Sequence, residues 1–347
     1  MNDFVDIDVL GVRIRVEYAD DLDSSQRRTA SDAWSGARSE GVGEADLSRT
    51  FSAGADFERA MERLTVDVTL SALDALRGRA LMFHAAGVAD ESGRVAAFVG
   101  PSGRGKTTLS RELGRHCGYV SDETIAVDAE LNVFPYRKPL SVVRAAKPKQ
   151  QVSPDEAGLR GLPQAPLRLA SLVLIERDAA LSAPEIAPLP LVDALPELVP
   201  QMSYLRDQER PLRAIAVLCD AIGGVRRLRY PEAATVPPLL PELFATPPTV
   251  HEWQPAPTPA ESGPYDASGV DDAILTDGHV IVMAHSMLHV LDGIAPVVWT
   301  EAAAGRDLDG IVDVVVEQHG APPQGSAHEL VAAAVDELID AGVLSRR

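Results

Sequence analysis

In the stretch AAFVGPSGRGKTTLSREL (residues 96–113), Gly100 is followed by four residues and then by Gly105, Lys106 and Thr107. Such spacing suits a dense anion. Backbone N–H groups can approach phosphate oxygens closely only where no Cβ intervenes, and Gly100, Gly103 and Gly105 meet that need. Pro101, Ser102 and Arg104 complete the loop. A helix starting near Lys106 would aim the positive end of its dipole at the anion. The Lys106 ammonium is suited to the outer phosphates, the Thr107 hydroxyl to Mg²⁺, and Thr108 extends the nucleotide contact. The ligand this predicts is ATP or GTP with Mg²⁺.

Moving a phosphoryl group also requires carboxylates. VSDET places Asp122 and Glu123 side by side, 16 and 17 residues past Lys106. One can accept a proton from an attacking hydroxyl while the other helps hold metal, with Asp122 and Glu123 both candidates for the metal side. A solvated strand end is the plainer alternative. Glu176, closing SLVLIE, is a second metal-side candidate, and strand-terminal charges are common. His84, in LMFHAAG, lies 22 residues before Lys106. Taken alone it reads as a packed or hydrogen-bonded strand histidine.

The elements that must position these groups follow from periodicity. Residues 1–20 alternate as paired strands, and 21–56, rich in Ser, Gly, Asp and Arg, read as a loop or irregular segment. Phe57 to Arg79 has helical spacing. Two apolar runs, 80–86 and 95–99, read as strands, the second feeding the Gly-rich loop and then a helix, which is the context the motif demands. Short strands flank Asp122-Glu123, and residues 167–177 form a buried strand. DALPELVPQMSYL and PLRAIAVLCDAIGG read as helices, and VRRLRYP as a last strand. Nine prolines among residues 237–264 predict an extended linker. Beyond it come two or three strands turning at Asp277-Gly278 and three helices, the order of a winged helix.

Composition narrows the classes. With 347 residues, 46% apolar and 24% charged, the chain has the make-up of a soluble protein of two or three domains. No run of about 18 apolar residues predicts a membrane span, and the acidic, alternating start does not read as a signal peptide. Cys117 and Cys219 lack metal-ligand spacing and read as reduced structural thiols, which points to the cytoplasm. A net charge of −19 argues against general nucleic-acid affinity. Of 32 positive charges only four are lysine: Lys106, Lys138, Lys147 and Lys149. The last three read equally as accidents of an arginine-biased composition.

The order of HAAG, GPSGRGKT and VSDE resembles the kinase core of the HPr serine kinase/phosphatase family, itself similar to phosphoenolpyruvate carboxykinase in its nucleotide site. The resemblance spans roughly residues 60–235. It implies an α/β phosphate-loop kinase fold with Asp122 as catalytic base, Glu123 as a metal-side carboxylate and His84 near the transferred phosphate. Lys106 and Thr107 would be nucleotide and Mg²⁺ ligands. Relatives with this core often form rings or dimers, which leaves a homo-oligomer open. The match departs from the family at Ala85, Glu123 and Thr107, and LRGL (159–162) lacks the glycine-rich stretch expected after it. These departures point away from phosphatase activity and from HPr as substrate, toward kinase-like proteins of peptide natural-product clusters.

Residues 268–347, including VLDGIAPVVW and the closing DELIDAGVL, resemble the PqqD-like peptide-recognition domain, a small α+β winged helix. The resemblance implies that a precursor's leader peptide adds as a strand to the sheet edge, beside a helix groove. A DNA-reading winged helix needs a basic footprint, whereas this segment holds 13 Asp and Glu against Arg306, Arg346 and Arg347. The expected organisation is an N-terminal segment (1–56), a nucleotide-binding domain (57–236), a Pro-rich linker (237–267) and a peptide-binding domain (268–347). The expected activity is ATP/Mg²⁺-dependent phosphoryl transfer to a hydroxyl of a peptide or small protein. A nucleotide-dependent peptide chaperone and a kinase of a free small molecule are the alternatives.

Overall fold

In the computed structural model, which describes residues 3–41, 43–142, 150–245 and 252–347, the alternating start folds as a hairpin. Strands β1 (Phe4–Val9) and β2 (Val12–Tyr18) pair antiparallel with Val9 opposite Val12. Val5, Ile7 and Val9 are buried with Val12, Ile14 and Val16, as a period of two dictates. Residues 21–56 are more ordered than their composition suggests. Helix α1 (Ser24–Ala33) starts at Asp23, whose carboxylate accepts from the Ser25 and Gln26 N–H groups while the Gln26 side chain returns to the cap. Strand β3 (Leu47–Phe51) then pairs parallel to β2. Helix α2 (Phe57–Ala75) covers this sheet, burying Met61, Leu64 and Val68 in one core with the fully buried Trp34.

Next along the chain come β4 (Leu81–Phe83), β5 (Ala85–Ala89), β6 (Arg94–Val99), α3 (Lys106–Leu113), β7 (Gly118–Ser121), β8 (Ile125–Val127), β9 (Val133–Phe134), β10 (Leu140–Val142) and β11 (Gln150–Val152). They are followed by β12 (Arg168–Arg177), β13 (Glu185–Leu189), α4 (Leu191–Leu198), β14 (Met202–Ser203), α5 (Pro211–Ala221), β15 (Val225–Tyr230) and α6 (Leu240–Phe244). Six strands form one mixed sheet in the order β13-β15-β12-β6-β5-β7, with β12 parallel to both β6 and β15. A four-stranded sheet has the order β14-β4-β8-β9. The helix read across DALPELVPQMSYL ends early: α4 stops at Leu198, just before Pro200, and Met202–Ser203 pairs with β4 instead.

The proline-dense run also departs from an extended linker. Pro237 and Pro241 sit in the first turns of short helical pieces, where a missing N–H costs nothing. Helix α6 buries Leu243 and Phe244 in the α/β core, and the Leu243 carbonyl accepts from the buried Ser171 hydroxyl at 2.7 Å. Residues 246–251, like Lys147 and Lys149, lie outside the described residues.

The remaining elements are β16 (Trp253–Pro255), β17 (Tyr265–Asp266), β18 (Val270–Thr276), β19 (His279–Ala284), β20 (Met287–Leu291), α7 (Ala295–Ala303), α8 (Leu308–His319), α9 (Ala327–Asp340) and β21 (Ser345–Arg346). β16, β18, β19 and β20 make a four-stranded antiparallel sheet in that order. Asp277 and Gly278, both at positive φ (50° and 76°), turn β18 into β19 as a two-residue hairpin requires. The three helices close a core around Trp299, whose Nε1–H donates to the Val343 carbonyl at 3.1 Å.

By contacts the described chain divides into two units: residues 3–189, 200–205 and 225–245 in one, and 190–199, 206–224 and 252–347 in the other. Helices α4 and α5 therefore group with the C-terminal strands, where the sequence places them in the nucleotide domain. Inside that second unit Arg213 of α5 ion-pairs with the buried Asp272 of β18 at 2.9 Å, and Trp253 Nε1–H donates to Asp220 at 2.6 Å. The chain is thus a mixed α/β protein with several sheets. Among the described residues no helix is long and apolar enough to cross a membrane.

Candidate functional site

Strand β6, buried from Val95 to Val99, delivers the chain to the glycine loop. A Cβ on Gly100 would come 3.0 Å from Cγ1 of Ile175, so the loop leaves the sheet tight against β12. Gly103 and Gly105 have φ of 80° and 97°, conformations that side-chain-bearing residues rarely adopt. A Cβ on Gly105 would also meet the Tyr230 hydroxyl at 3.2 Å. Gly105 caps α3, whose Leu109 and Leu113 are fully buried and fix the helix beneath the loop. Lys106 is buried, and its Nζ donates to the carbonyls of Gly100 (2.5 Å) and Pro101 (3.3 Å). Burial pulls its pKa below the usual lysine value, Glu123 and Asp122 opposing.

Asp122 and Glu123 follow β7 in the turn to β8. The Ser121 hydroxyl accepts from the Glu123 and Thr124 N–H groups, both at 3.2 Å, and holds that turn. The Glu123 carbonyl accepts twice: from the Ala85 N–H and from His84 Nδ1, each at 3.1 Å. A carbonyl cannot donate, so the proton of the neutral His84 ring sits on Nδ1 and its Nε2 is an acceptor. Nε2 lies 3.5 Å from the Ser102 hydroxyl of the glycine loop. Burial first, then Lys106, lowers the His84 pKa and favours this neutral form. The His84 N–H donates to the Gln201 carbonyl at 2.6 Å, so the short return past β14 braces the same residue.

A cavity of about 480 Å³ joins these groups. His84, Ser102, Gly103, Gly105, Lys106, Thr107, Thr108, Asp122 and Glu123 all line it, with Lys138 and Ser141. Gly100, Pro101 and Arg104 belong to the loop without lining the cavity. Lys138, one of the chain's four lysines, is buried and sits 3.3 Å from Asp122 Oδ1 and 3.0 Å from Glu123 Oε2. Burial disfavours its charge, but the two carboxylates outweigh that and raise its pKa. Glu176 is elsewhere, facing Arg227 (3.4 Å) and Arg229 (3.6 Å) across neighbouring strands.

The donor set suits a hard, oxygen-preferring cation. Asp122 Oδ1 is fully buried, and its contact with Lys138 is an ion pair without a directed hydrogen bond. A carboxylate oxygen thus retains coordinating capacity at the cavity wall, with Glu123 next to it in sequence and the exposed Thr107 lining the same cavity. No three His, Cys, Asp or Glu side chains converge on one point among the described residues. Two carboxylates and a hydroxyl match Mg²⁺, which keeps waters and takes phosphate oxygens as further ligands. Cys117 and Cys219 are buried, and burial pushes both thiols up to about 12, so neither is a nucleophile.

The second unit offers a different surface. β16 covers the outer edge of β18, while β20 forms the opposite edge of the sheet. Met287 and Val290 on β20 are 61% and 40% exposed. Ile294, Val315, Pro322, Leu330 and Val331 line a small groove of about 180 Å³ among the helices, with Leu330 half exposed. No protein-family model matches the chain, and no curated protein matches it significantly.

Proposed function

We propose that this protein is an ATP/Mg²⁺-dependent phosphotransferase of the HPr-kinase-like type, acting on a hydroxyl of a peptide bound through a PqqD-like C-terminal winged helix. The observation that carries the reading is the convergence of His84, the glycine loop and Asp122-Glu123, distant in sequence, on one cavity. Bound Mg·ATP would supply the transferable phosphoryl group and the charge that offsets its oxygens. Thr107, Asp122 and Glu123 would hold the metal, and Lys106 would leave the carbonyls of Gly100 and Pro101 for the outer phosphates. Asp122 accepts the proton of the acceptor hydroxyl as that oxygen attacks. His84 Nε2, an acceptor held by its Nδ1 bond, orients that hydroxyl or the Ser102 hydroxyl beside it.

The edge of β20 supports the peptide half of the reading. A strand edge that pairs with no other strand among the described residues, flanked by exposed Met287 and Val290, is the surface that strand addition uses. Tethering the acceptor to the same chain raises its concentration at the cavity without new contacts there. The test is phosphorylation of a randomised serine-containing peptide library by the full chain with radiolabelled ATP and Mg²⁺. Label on peptide serine, absent in Lys106→Ala, is expected; ATP binding with no labelled peptide would turn the reading to a nucleotide-dependent chaperone.

A further inference from the structure

Lys138 takes no part in the transfer described above, yet among the described residues it is the cation that ion-pairs with both of the site's carboxylates. Its side chain is 8% exposed, and its ammonium bridges Asp122, 7% exposed, and Glu123. Arg137 next to it shows the alternative: that guanidinium turns to Asp155 at 2.7 Å, outside the cavity lining. We propose that Lys138 is an internal counter-cation that holds the metal's place between Asp122 and Glu123, so that a divalent ion reaches both carboxylates only by displacing the ammonium. The inference rests on the reading of the cavity as a metal–nucleotide site.

Three physical points carry it. The buried Asp122 carboxylate, with the part-exposed Glu123 (39%) beside it, needs compensating charge when no metal is present. An ammonium has donors only, and a divalent ion a few ångströms away would repel it. Both cations cannot share the pair. The identity of the residue matters as well. In a chain with 28 arginines and four lysines, arginine is the default cation, and its planar fork would lock onto paired oxygens. A compact ammonium on a flexible stem can let go. Once displaced it still faces the cavity that Lys106 and Thr107 line, where phosphate oxygens are the anions to receive it.

The test needs no nucleotide and no transfer. Mn²⁺ is titrated into the full chain and free Mn²⁺ is followed by electron paramagnetic resonance. Removing the competitor in Lys138→Met should tighten Mn²⁺ at least about tenfold, while Lys138→Arg should bind no tighter than wild type. Equal or weaker binding in a folded Lys138→Met variant overturns the proposal. Should that variant not fold, the wild type answers alone. With only four lysines, pulse acetylation read by mass spectrometry resolves Lys138, and saturating Mn²⁺ should raise its labelling several-fold. Unchanged labelling overturns displacement. Peptide phosphorylation with no effect of Lys138 on Mn²⁺ removes this inference alone. Tighter Mn²⁺ in Lys138→Met without any phosphorylation removes the kinase reading alone.

Discussion

The glycine-loop cavity and the β20 edge, the two surfaces of the proposed function, are built on opposite principles. In the cavity, polar side chains are held by short contacts: the buried Lys106 on loop carbonyls, the buried Lys138 on Asp122 and Glu123, and the half-buried, neutral His84 on the Glu123 carbonyl. Each group has a defined partner, and removing Lys138 or Asp122 leaves the other's buried charge uncompensated, a costly outcome. At β20 the groups on offer are backbone donors and acceptors, with Met287 and Val290 adding exposed apolar area. A backbone edge accepts many sequences and asks mainly for strand geometry. The first surface suits an invariant ligand such as a nucleotide, and the second a partner of variable sequence.

That contrast can be broken by substitution. The largest effect is expected from Asp122→Asn, which keeps the shape of the cavity and removes the proposed base. Turnover should fall by about 10²–10⁴-fold with nucleotide affinity within a few-fold of wild type. Single-turnover kinetics check this, and a loss confined to nucleotide affinity would assign Asp122 to binding alone. At the other surface, Met287→Glu with Val290→Glu should weaken peptide binding by about tenfold and leave nucleotide affinity untouched. Fluorescence anisotropy of a labelled library member reads the first, calorimetry the second.

The smallest effect concerns pH. The folded His84 has a pKa below its unfolded value of about 6.5, so the unfolded chain binds the extra proton first. Stability from this group is full above pH about 6.5 and is lost as pH falls toward the folded value. Denaturant unfolding between pH about 7 and 5 should show a gentler decline in His84→Asn than in the wild type, measured without nucleotide. Parallel slopes would mean that His84 titrates normally.

Much of the cavity was legible because its parts are local patterns. The glycine spacing, the strand before it and the helix after it all lie within residues 95–113, and each obeys a short-range rule. His84 and Asp122-Glu123 were legible as candidates, but only the antiparallel pairing of β5 with β6 and β7 brings them to the loop. Lys138 was legible only as one of four lysines, a signal that reads equally as accident. It lies 16 residues past Asp122, no local period marks it, and its role exists only where the chain returns to the acidic turn. Helix α1 was missed for a different reason. Its apolar content is low, and its start is fixed by a capping box, Asp23 to Gln26, a signal readable in DSSQ when side-chain hydrogen bonds are weighed beside hydrophobic spacing. Proline density alone does not show position: Pro237 and Pro241 stand in first helical turns, where a proline is tolerated that would break the middle of a helix.

Phosphorus NMR of the full chain with Mg²⁺, ATP and the serine-containing peptide pool addresses the central claim most directly. Phosphoryl transfer predicts a phosphomonoester resonance that grows in step with ADP and fails to appear with Asp122→Asn. Inorganic phosphate alone, or ATP left unchanged by the wild-type protein, would contradict it.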